Sequence, residues 1–388
     1  EIASCLVGSE MCIRDRFTNQ IILSDFMEEH QINIRMFRPM ESYQKYGGVL
    51  TFARSVGYAV VKKPEGYTTA KVDQIIQEYE KKSANEQQST AKQYPNIITV
   101  VNETFADIKV LGDFKTNEDY MPYFHSLKKN CVTGYTYASI VGGQTANTEF
   151  ELLTGNTLGF LSAGTTAFQL YIHGQMPSLV SNLKAEGYSG NKAMHPFNPY
   201  NYNRPAVYKD FGFTDFIDKF DFPKNVKRVR EYISDEANVD RIISEYEKNR
   251  KKTDQPFYMY NMTIQNHSPY DKDAANFKQP IKIESSKYDA EANRYLNLIK
   301  YSDDSLKQLT GYFEKCKEPT IILFLGDHQP RLTDEFMNKI TNGQYQTWNS
   351  EQMMKRYQVP FVIWANYDIK EQHIEKTSMN YIQSILTK

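Results

Sequence analysis

The sequence predicts an α/β fold, on three observations. Four near-continuous apolar runs of strand length, 96–101, 257–264, 320–325 and 359–365, suit strands buried on both faces of a sheet. Helical patterns lie between them, at 149–153, 226–248 and 291–315. Hydrophobic residues are 40% of the 388 and charged residues 24%, a globular balance that excludes global disorder.

Taken in order, residues 1–16 have neither a helical nor a strand period and lack the parts of a signal peptide. Cys5–Arg16 resembles an in-frame translation of a transposase sequencing adapter, so 1–16 are expected to be a non-native assembly scar. From Phe17 onward, Val49, Leu50, Phe52, Ala53, Val56, Ala59 and Val60 cluster on one side of a helix. Lys62–Gly66 stops it, because Pro cannot continue a helix and Gly turns freely. Val72, Ile75, Ile76 and Tyr79 repeat as in a second amphipathic helix. The polar stretch Lys81–Tyr94 is the best linker. Residues 17–93 are thus expected to form a helical extension with its linker, and 94–388 one α/β domain. Asn380–Lys388 reads as a helix without a stop signal, so the C-terminus is expected to be truncated.

The net charge of −1 excludes a chain-wide basic footprint for nucleic acid. No run approaches the ~20 apolar residues that span a bilayer. Four cysteines are too few for a disulfide framework; Cys131 and Cys316 could pair on an oxidising surface, but two free buried thiols are the expectation. The 28 Tyr and 22 Phe supply flat apolar faces for core packing or for a sugar or glycerol groove.

Three strands run into polar residues that a buried strand would not choose: Asn102-Glu103-Thr104, Gln265-Asn266-His267 and Gly326-Asp327-His328. Ligand sites of open α/β sheets form beyond the carboxyl ends of the strands. Glu103, Asp327 and His328 are an O,O,N set suited to Mn²⁺, Zn²⁺ or Mg²⁺. Strand-end Asp and Asn also serve as turn residues and caps. Thr145 follows Gly142-Gly143-Gln144 and opens a helical pattern, where unpaired N–H groups favour a phosphate and a hydroxyl can act as nucleophile. An ordinary cap is the competing reading, and Thr148 with Glu151 fits a capping box.

Five motifs occur in order: NETF from Asn102, GGQTANTEFELLTG from Gly142, MHPFNPYNYNRPAVYKDFGF from Met194, NHSPY from Asn266 and GDHQP from Gly326. Together they resemble the extracellular catalytic domain of the lipoteichoic acid synthase family, the phosphoglycerol transferases of the alkaline phosphatase/sulfatase superfamily. The resemblance runs from about Tyr46 to the C-terminus, and KPEGYT at Lys63–Thr68 is similar to the segment after the family's last membrane helix.

The resemblance implies a central, mostly parallel sheet flanked by helices. It also implies one metal, usually Mn²⁺, held by Glu103, Thr145, Asp327 and His328, with Thr145 as the nucleophile that the metal activates. Arg204 matches the family's phosphate-binding arginine, whose planar fork suits a phosphodiester. His267 matches the histidine that contacts glycerol phosphate and protonates a leaving oxygen. Tyr202 stands where the family has Trp, and His195 keeps its place, but Pro196–Pro199 lacks an acidic residue of related synthases.

The implied reaction moves glycerol phosphate from phosphatidylglycerol to a glycolipid or polyglycerolphosphate acceptor through a phospho-threonine. A phosphoethanolamine transferase is the enzymatic alternative, and an inactive cell-surface binding domain the non-enzymatic one. None of the cysteines sits in the C/S-x-P/A-x-R setting of a sulfatase, so sulfate-ester hydrolysis is not expected. The implied location is the extracellular face of the cell membrane, with anchoring helices upstream and the 49–60 helix lying against the membrane or packed on the domain.

Overall fold

The computed structural model describes residues 39–58, 63–85, 94–284 and 289–388, with residues 29, 32, 34 and 61. The expected scar, 1–16, and most of the expected linker, 86–93, lie outside the described residues. The chain divides into two compact units. One comprises the residues through Lys92 together with Leu158–Tyr171, and the other Gln93–Thr157 with Ile172–Lys388.

The first unit is helical in its described residues. Its helices are Pro39–Tyr46, Gly48–Tyr58, Thr69–Asn85 and Ala167–Leu170. The Tyr58 hydroxyl donates to the Ile34 carbonyl at 3.2 Å, and the Tyr171 hydroxyl to the Tyr58 carbonyl at 2.6 Å. Val49, Phe52 and Val56 are exposed, as are Val72, Ile75, Ile76 and Tyr79 of the third helix. That helix runs on to Asn85, so the first five residues expected in the linker are helical. Lys, Ser, Ala and Asn there carry no breaker, and Lys82 reaches back one turn to Glu78 at 2.9 Å. No described helix is long and apolar enough to cross a membrane.

The second unit is built on an eight-stranded sheet. Its strands are β1 (Asn96–Asn102), β2 (Cys131–Tyr137), β3 (Ser189–Met194), β4 (Asp215–Ile217), β7 (Phe257–Met262), β8 (Thr320–Gly326), β9 (Gln358–Ala365) and β10 (Gln372–Ser378). A separate two-stranded ribbon joins β5 (Arg228–Val229) to β6 (Tyr232–Ile233). The order in the sheet is β10-β2-β9-β8-β1-β7-β3-β4. Every pairing is parallel except those of β9 with β2 and β8. The four apolar runs are β1, β7, β8 and β9, and nearly all their residues are buried. Strands sealed on both faces have no polar side to alternate with.

Helices Asp235–Arg250 and Ala290–Phe313 pack together, with Tyr246 edge-on to Phe313 at 5.0 Å and to Phe257 of β7 at 5.7 Å. Tyr208, Tyr258, Tyr260 and Tyr295 are fully buried, so much of the aromatic surplus is core. Each buried ring contributes about 1.5–3 kcal/mol.

Three expectations need correction. The helix expected over 226–248 starts only at Asp235, capped by the Ser234 hydroxyl, and the ribbon occupies 228–233. Arg230 at its tip is left-handed, φ 56°, which ends a helix. The capping box of Thr148 with Glu151 does not form. Gln144 is the cap residue of helix Thr145–Thr154 and makes no side-chain cap bond, while Thr148 lies within the helix. The C-terminal helix covers only Ile382–Leu386, after a 3-10 turn at Met379–Tyr381. Cys131 and Cys316 are both free, the first buried and the second half-buried.

Candidate active site

β8, β1 and β7 are neighbours, in register from Asn102 opposite Gly326 and Val101 opposite Met262. Their carboxyl ends therefore open at one level. Gly326 permits this, because a Cβ there would lie 1.8 Å from the Phe105 carbonyl oxygen. Immediately beyond, Glu103, Asp327 and His328 converge, all buried, with ligand atoms within 4.8 Å of one another.

Local hydrogen bonds fix the three. Thr104, a β-branched residue at φ 53°, turns the chain so that its N–H meets Asp327 Oδ1 at 2.6 Å and its hydroxyl meets Glu103 Oε1 at 2.8 Å. Such a conformation costs about 1–3 kcal/mol and persists only where the surroundings over-determine it. Thr263 Oγ1 accepts the Glu103 N–H at 3.0 Å. His328 Nδ1 faces the Gln329 carbonyl at 2.9 Å, which makes Nδ1 the donor and leaves Nε2 to face the cluster. Nε2 lies 3.2 Å from Asp327 Oδ2 and 3.8 Å from Glu103 Oε1. Neither Nε2 nor Oδ2 has a hydrogen-bond partner among the described residues. Buried orphan acceptors cost free energy unless something electropositive satisfies them. Burial first, and the Asp327 charge second, push the Glu103 carboxyl up to about 8. Two carboxyl groups and an imidazole, an O,O,N set, fit a divalent cation.

Thr145 is the first residue of helix Thr145–Thr154 and is buried. Gly142, Gly143 and Gln144 all have positive φ, a bend that only glycine takes freely, and it throws the chain into the helix. The segment is pinned to the end of β8 on both sides of Thr145. Gly142 N–H donates to the Gln329 carbonyl at 3.0 Å, and the Thr148 hydroxyl to the Asp327 carbonyl at 2.8 Å. With no side chain capping the helix, its N-terminus is a favourable place for an anion.

Arg204 opens helix Arg204–Asp210 after left-handed Tyr202 and Asn203. Its guanidinium lies 5.1 Å from the Tyr202 ring centroid. Nε and Nη2 donate to Glu149 Oε1 at 3.2 and 2.6 Å. The Tyr208 hydroxyl donates to Glu149 Oε2, and that of Tyr260 does so at 3.2 Å. Burial works against the cation, but the Glu149 charge outweighs it and raises the Arg204 pKa. Burial raises the Tyr202 phenol to about 12. Glu149, inside the GGQTANTEFELLTG motif, is a positioning residue that the sequence reading did not single out.

His195 follows β3, with Nδ1 3.0 Å from the Met262 carbonyl. Burial, then the nearby Arg204 cation, hold its pKa well below 6.5, so it is a neutral ring. His267 is half-buried, stacked on Phe197 at 6.3 Å and 22°, with Nδ1 2.6 Å from the Ser268 carbonyl and 3.4 Å from the Tyr232 hydroxyl. Its loop is clamped by Arg230, which donates to the carbonyls of Gln265, His267 and Pro269, each at 2.8 Å. Arg230 and Tyr232 were also missed, since they belong to the ribbon where a helix was expected.

The parallel sheet with this acid–acid–histidine cluster at its strand ends defines an alkaline-phosphatase-like α/β domain. The Sulfatase family matches residues 95–387, and the chain belongs to that family. It is 31% identical over 361 residues to a candidate cyclic beta-1,2-glucan modification protein of Rhizobium meliloti (strain 1021). That alignment covers 91% of this chain and 54% of the relative, so the chain spans about half of that protein's length. The phosphoglycerol transferase GacH of Streptococcus pyogenes, solved with sn-glycerol-1-phosphate, superposes with TM-score 0.67 at 21% identity, over 84% of this chain and 83% of its own. The lipoteichoic acid synthase LtaP of Listeria monocytogenes gives 0.61 at 22%, over 76% and 71%. Both likenesses are of fold.

Proposed function

We propose that the chain is the catalytic part of a metal-dependent phosphoglycerol transferase. The observation that carries this reading is the buried Glu103–Asp327–His328 cluster, with two inward acceptors lacking partners, pinned beside the uncapped helix that begins at Thr145. The relatives' names support phosphoglycerol chemistry. Glu103, Asp327, His328 and Thr145 would hold the ion, Mn²⁺ by the family's habit, and a bound divalent ion supplies Lewis-acid charge for phosphoryl transfer.

The chain's own residues do the rest. The Thr145 hydroxyl loses its proton to water and attacks the phosphorus of the phosphatidylglycerol head group, forming a glycerophospho-threonine as the bond to diacylglycerol breaks. Arg204, held from behind by Glu149, steadies the phosphoryl oxygens, with the N–H groups at the helix start adding to it. His267 protonates the departing diacylglycerol oxygen. Neutral His195 accepts a hydrogen bond from substrate, and the Tyr202 ring packs against the glycerol. A hydroxyl of a glycolipid or polyglycerolphosphate then takes the group, giving its proton to His267 as the bond to Thr145 breaks and the threonine hydroxyl regains a proton from water. In this reading residues 17–93 are the juxtamembrane extension and 94–388 the catalytic domain, on the extracellular face of the membrane.

One observation favours a second acceptor. The relative sharing 31% identity over 91% of this chain carries a name in cyclic beta-1,2-glucan modification, which points to a glucan hydroxyl in the second step. The donor half-reaction is common to both readings. Its test is diacylglycerol release from fluorescent phosphatidylglycerol by purified protein with Mn²⁺, abolished in Thr145→Ala. Undiminished release by the variant rejects the nucleophile. Release only from phosphatidylethanolamine favours a phosphoethanolamine transferase, and no release from either favours an inactive binding domain.

A further inference from the structure

Next to the candidate site lies a ring of buried polar side chains that neither the metal cluster nor the proposed nucleophile accounts for. Asn102, Asp235, Gln265, Asn266 and Ser302 are all sealed from solvent. Asp235 Oδ2 accepts from Asn102 Nδ2 at 2.7 Å and from the Ser302 hydroxyl at 2.6 Å. Asn266 Nδ2 closes the ring, donating to Asn102 Oδ1 at 3.1 Å and to Ser302 Oγ at 2.8 Å. We infer that Asp235 is a positioning residue for the proposed transfer, one that fixes the end of β1 carrying Glu103 against the loop carrying His267.

The neighbours in the chain make the ring matter. Asn102 is the residue before Glu103, and Asn266 the residue before His267. The proposed reaction needs one of these neighbours on the cation and the other on the leaving oxygen, so their separation has to be held. Asp235 and Ser302 belong to the helices Asp235–Arg250 and Ala290–Phe313, which pack together through Tyr246 and Phe313. Both chain segments are thereby referred to one rigid pair of helices.

The carboxylate sets the direction of the ring. It only accepts, so Asn102 must present its amide hydrogens and Ser302 its hydroxyl hydrogen. Asn102 is left with its carbonyl oxygen for Asn266, which must then donate. Gln265 adds to the same pattern: its Oε1 takes the Asp235 N–H at 3.0 Å, and its Nε2 donates to Asn266 Oδ1 at 3.1 Å. An asparagine at 235 offers a donor as well as an acceptor, and the amides around it lose their single arrangement. Glu103 and Asp327 keep their own bonds to Thr104 and Thr263, so the disturbance falls on the His267 loop.

This role rests on the proposed transfer, in which His267 protonates the leaving oxygen, and its test separates that step from folding. The full chain with Mn²⁺ is given two donors: phosphatidylglycerol, whose alkoxide needs a proton to leave, and the 4-nitrophenyl ester of glycerol phosphate, whose phenolate leaves without one. Asp235→Asn should lower kcat on the lipid by about 10–100-fold at nearly unchanged KM, and on the nitrophenyl ester by less than about threefold. Ser302→Ala, which removes two bonds of the ring, should show the same split with a smaller loss, and it carries the test if the 235 variant does not fold. In a His267→Gln background Asp235→Asn should cost nothing more on the lipid. Equal losses on both donors, or losses that add to those of His267→Gln, overturn the role. A wild type that cleaves neither donor sinks the transfer, and hydrogen exchange then decides on the coupling. Faster amides over Gln265–Pro269 in Asp235→Asn, with β9 unchanged, uphold it, and an unaltered loop overturns it.

Discussion

The Arg204 guanidinium is held by the carboxylate of Glu149: Nη2 and Nε meet the same oxygen at 2.6 and 3.2 Å, and both side chains are sealed from solvent. The other carboxylate oxygen takes the hydroxyls of Tyr208 and Tyr260. All of Glu149's acceptor capacity is spent inside the protein, and Arg204 Nη1 donates to the Asn201 carbonyl at 3.5 Å. The arrangement is a rigid, buried fork, not a surface ion pair.

Glu149→Gln keeps the shape and removes the charge, so Arg204 is left as a buried cation without its counter-ion. The expected loss is about 3–5 kcal/mol, read as a shifted urea midpoint with unchanged slope. Glycerol phosphate affinity should fall with it, because the fork is no longer aimed. A variant as stable as wild type would mean that the pair adds nothing to the fold.

The raised Glu103 carboxyl sets a pH dependence for metal binding. Its folded pKa, about 8, stands above the ordinary value of 4.5, owing to burial and then to Asp327. Between those values the metal-free folded protein holds a proton that the unfolded chain has released. The stability this contributes is complete below about 4.5 and is lost as pH rises through about 8. A cation must displace that proton, so Mn²⁺ affinity should climb by up to about tenfold per pH unit from 6 to 8 and then level off. Titrations in two buffers of different ionisation heat would show the released proton. A flat profile would mean that Glu103 does not bind the ion.

Arg230 should matter through His267, although it touches no candidate substrate atom. Arg230→Met removes three donors from the Gln265–Pro269 loop. Amide exchange in that loop should quicken, kcat should fall by about 10–100-fold and KM should change little. Added guanidinium should restore part of the rate. A purely structural role would lower stability without that rescue.

The sequence exposed the parts of this architecture that repeat locally. β1, β7, β8 and β9 are legible because burial on both faces leaves unbroken apolar runs, and Glu103, Asp327 and His328 because they interrupt those runs at one end. The strands β2 and β10 were not legible. β2 has a glycine at Gly134, where a Cβ would lie 2.0 Å from the Ile374 carbonyl oxygen, and edge strand β10 is largely exposed and polar. The ribbon was hidden because apolar spacing over 226–248 fits a helix, and only the left-handed turn at Arg230 breaks it. Glu149 looked like one more helical residue, since its partner lies 55 positions away. Partnerships of that range are set by tertiary packing and leave no period in the chain.

Thr148 gives the sharpest test of how the helix that opens with the proposed nucleophile is fastened to the end of β8. Its hydroxyl is fully buried and donates to the Asp327 carbonyl at 2.8 Å, one helical turn beyond Thr145. Thr148→Val keeps the branched shape and deletes only the donor, so the carbonyl beside a metal-site residue is orphaned. The expected cost is about 1–3 kcal/mol, by chemical denaturation. If the fastening positions Thr145, kcat should fall further than stability predicts, while Mn²⁺ affinity stays within a few-fold because Glu103, Asp327 and His328 keep their own bonds. Thr148→Ser, which restores the donor with one methyl fewer, should recover the rate but not all of the stability. A Val variant with native kcat would show that the helix is placed by the Gly142–Gln329 bond alone.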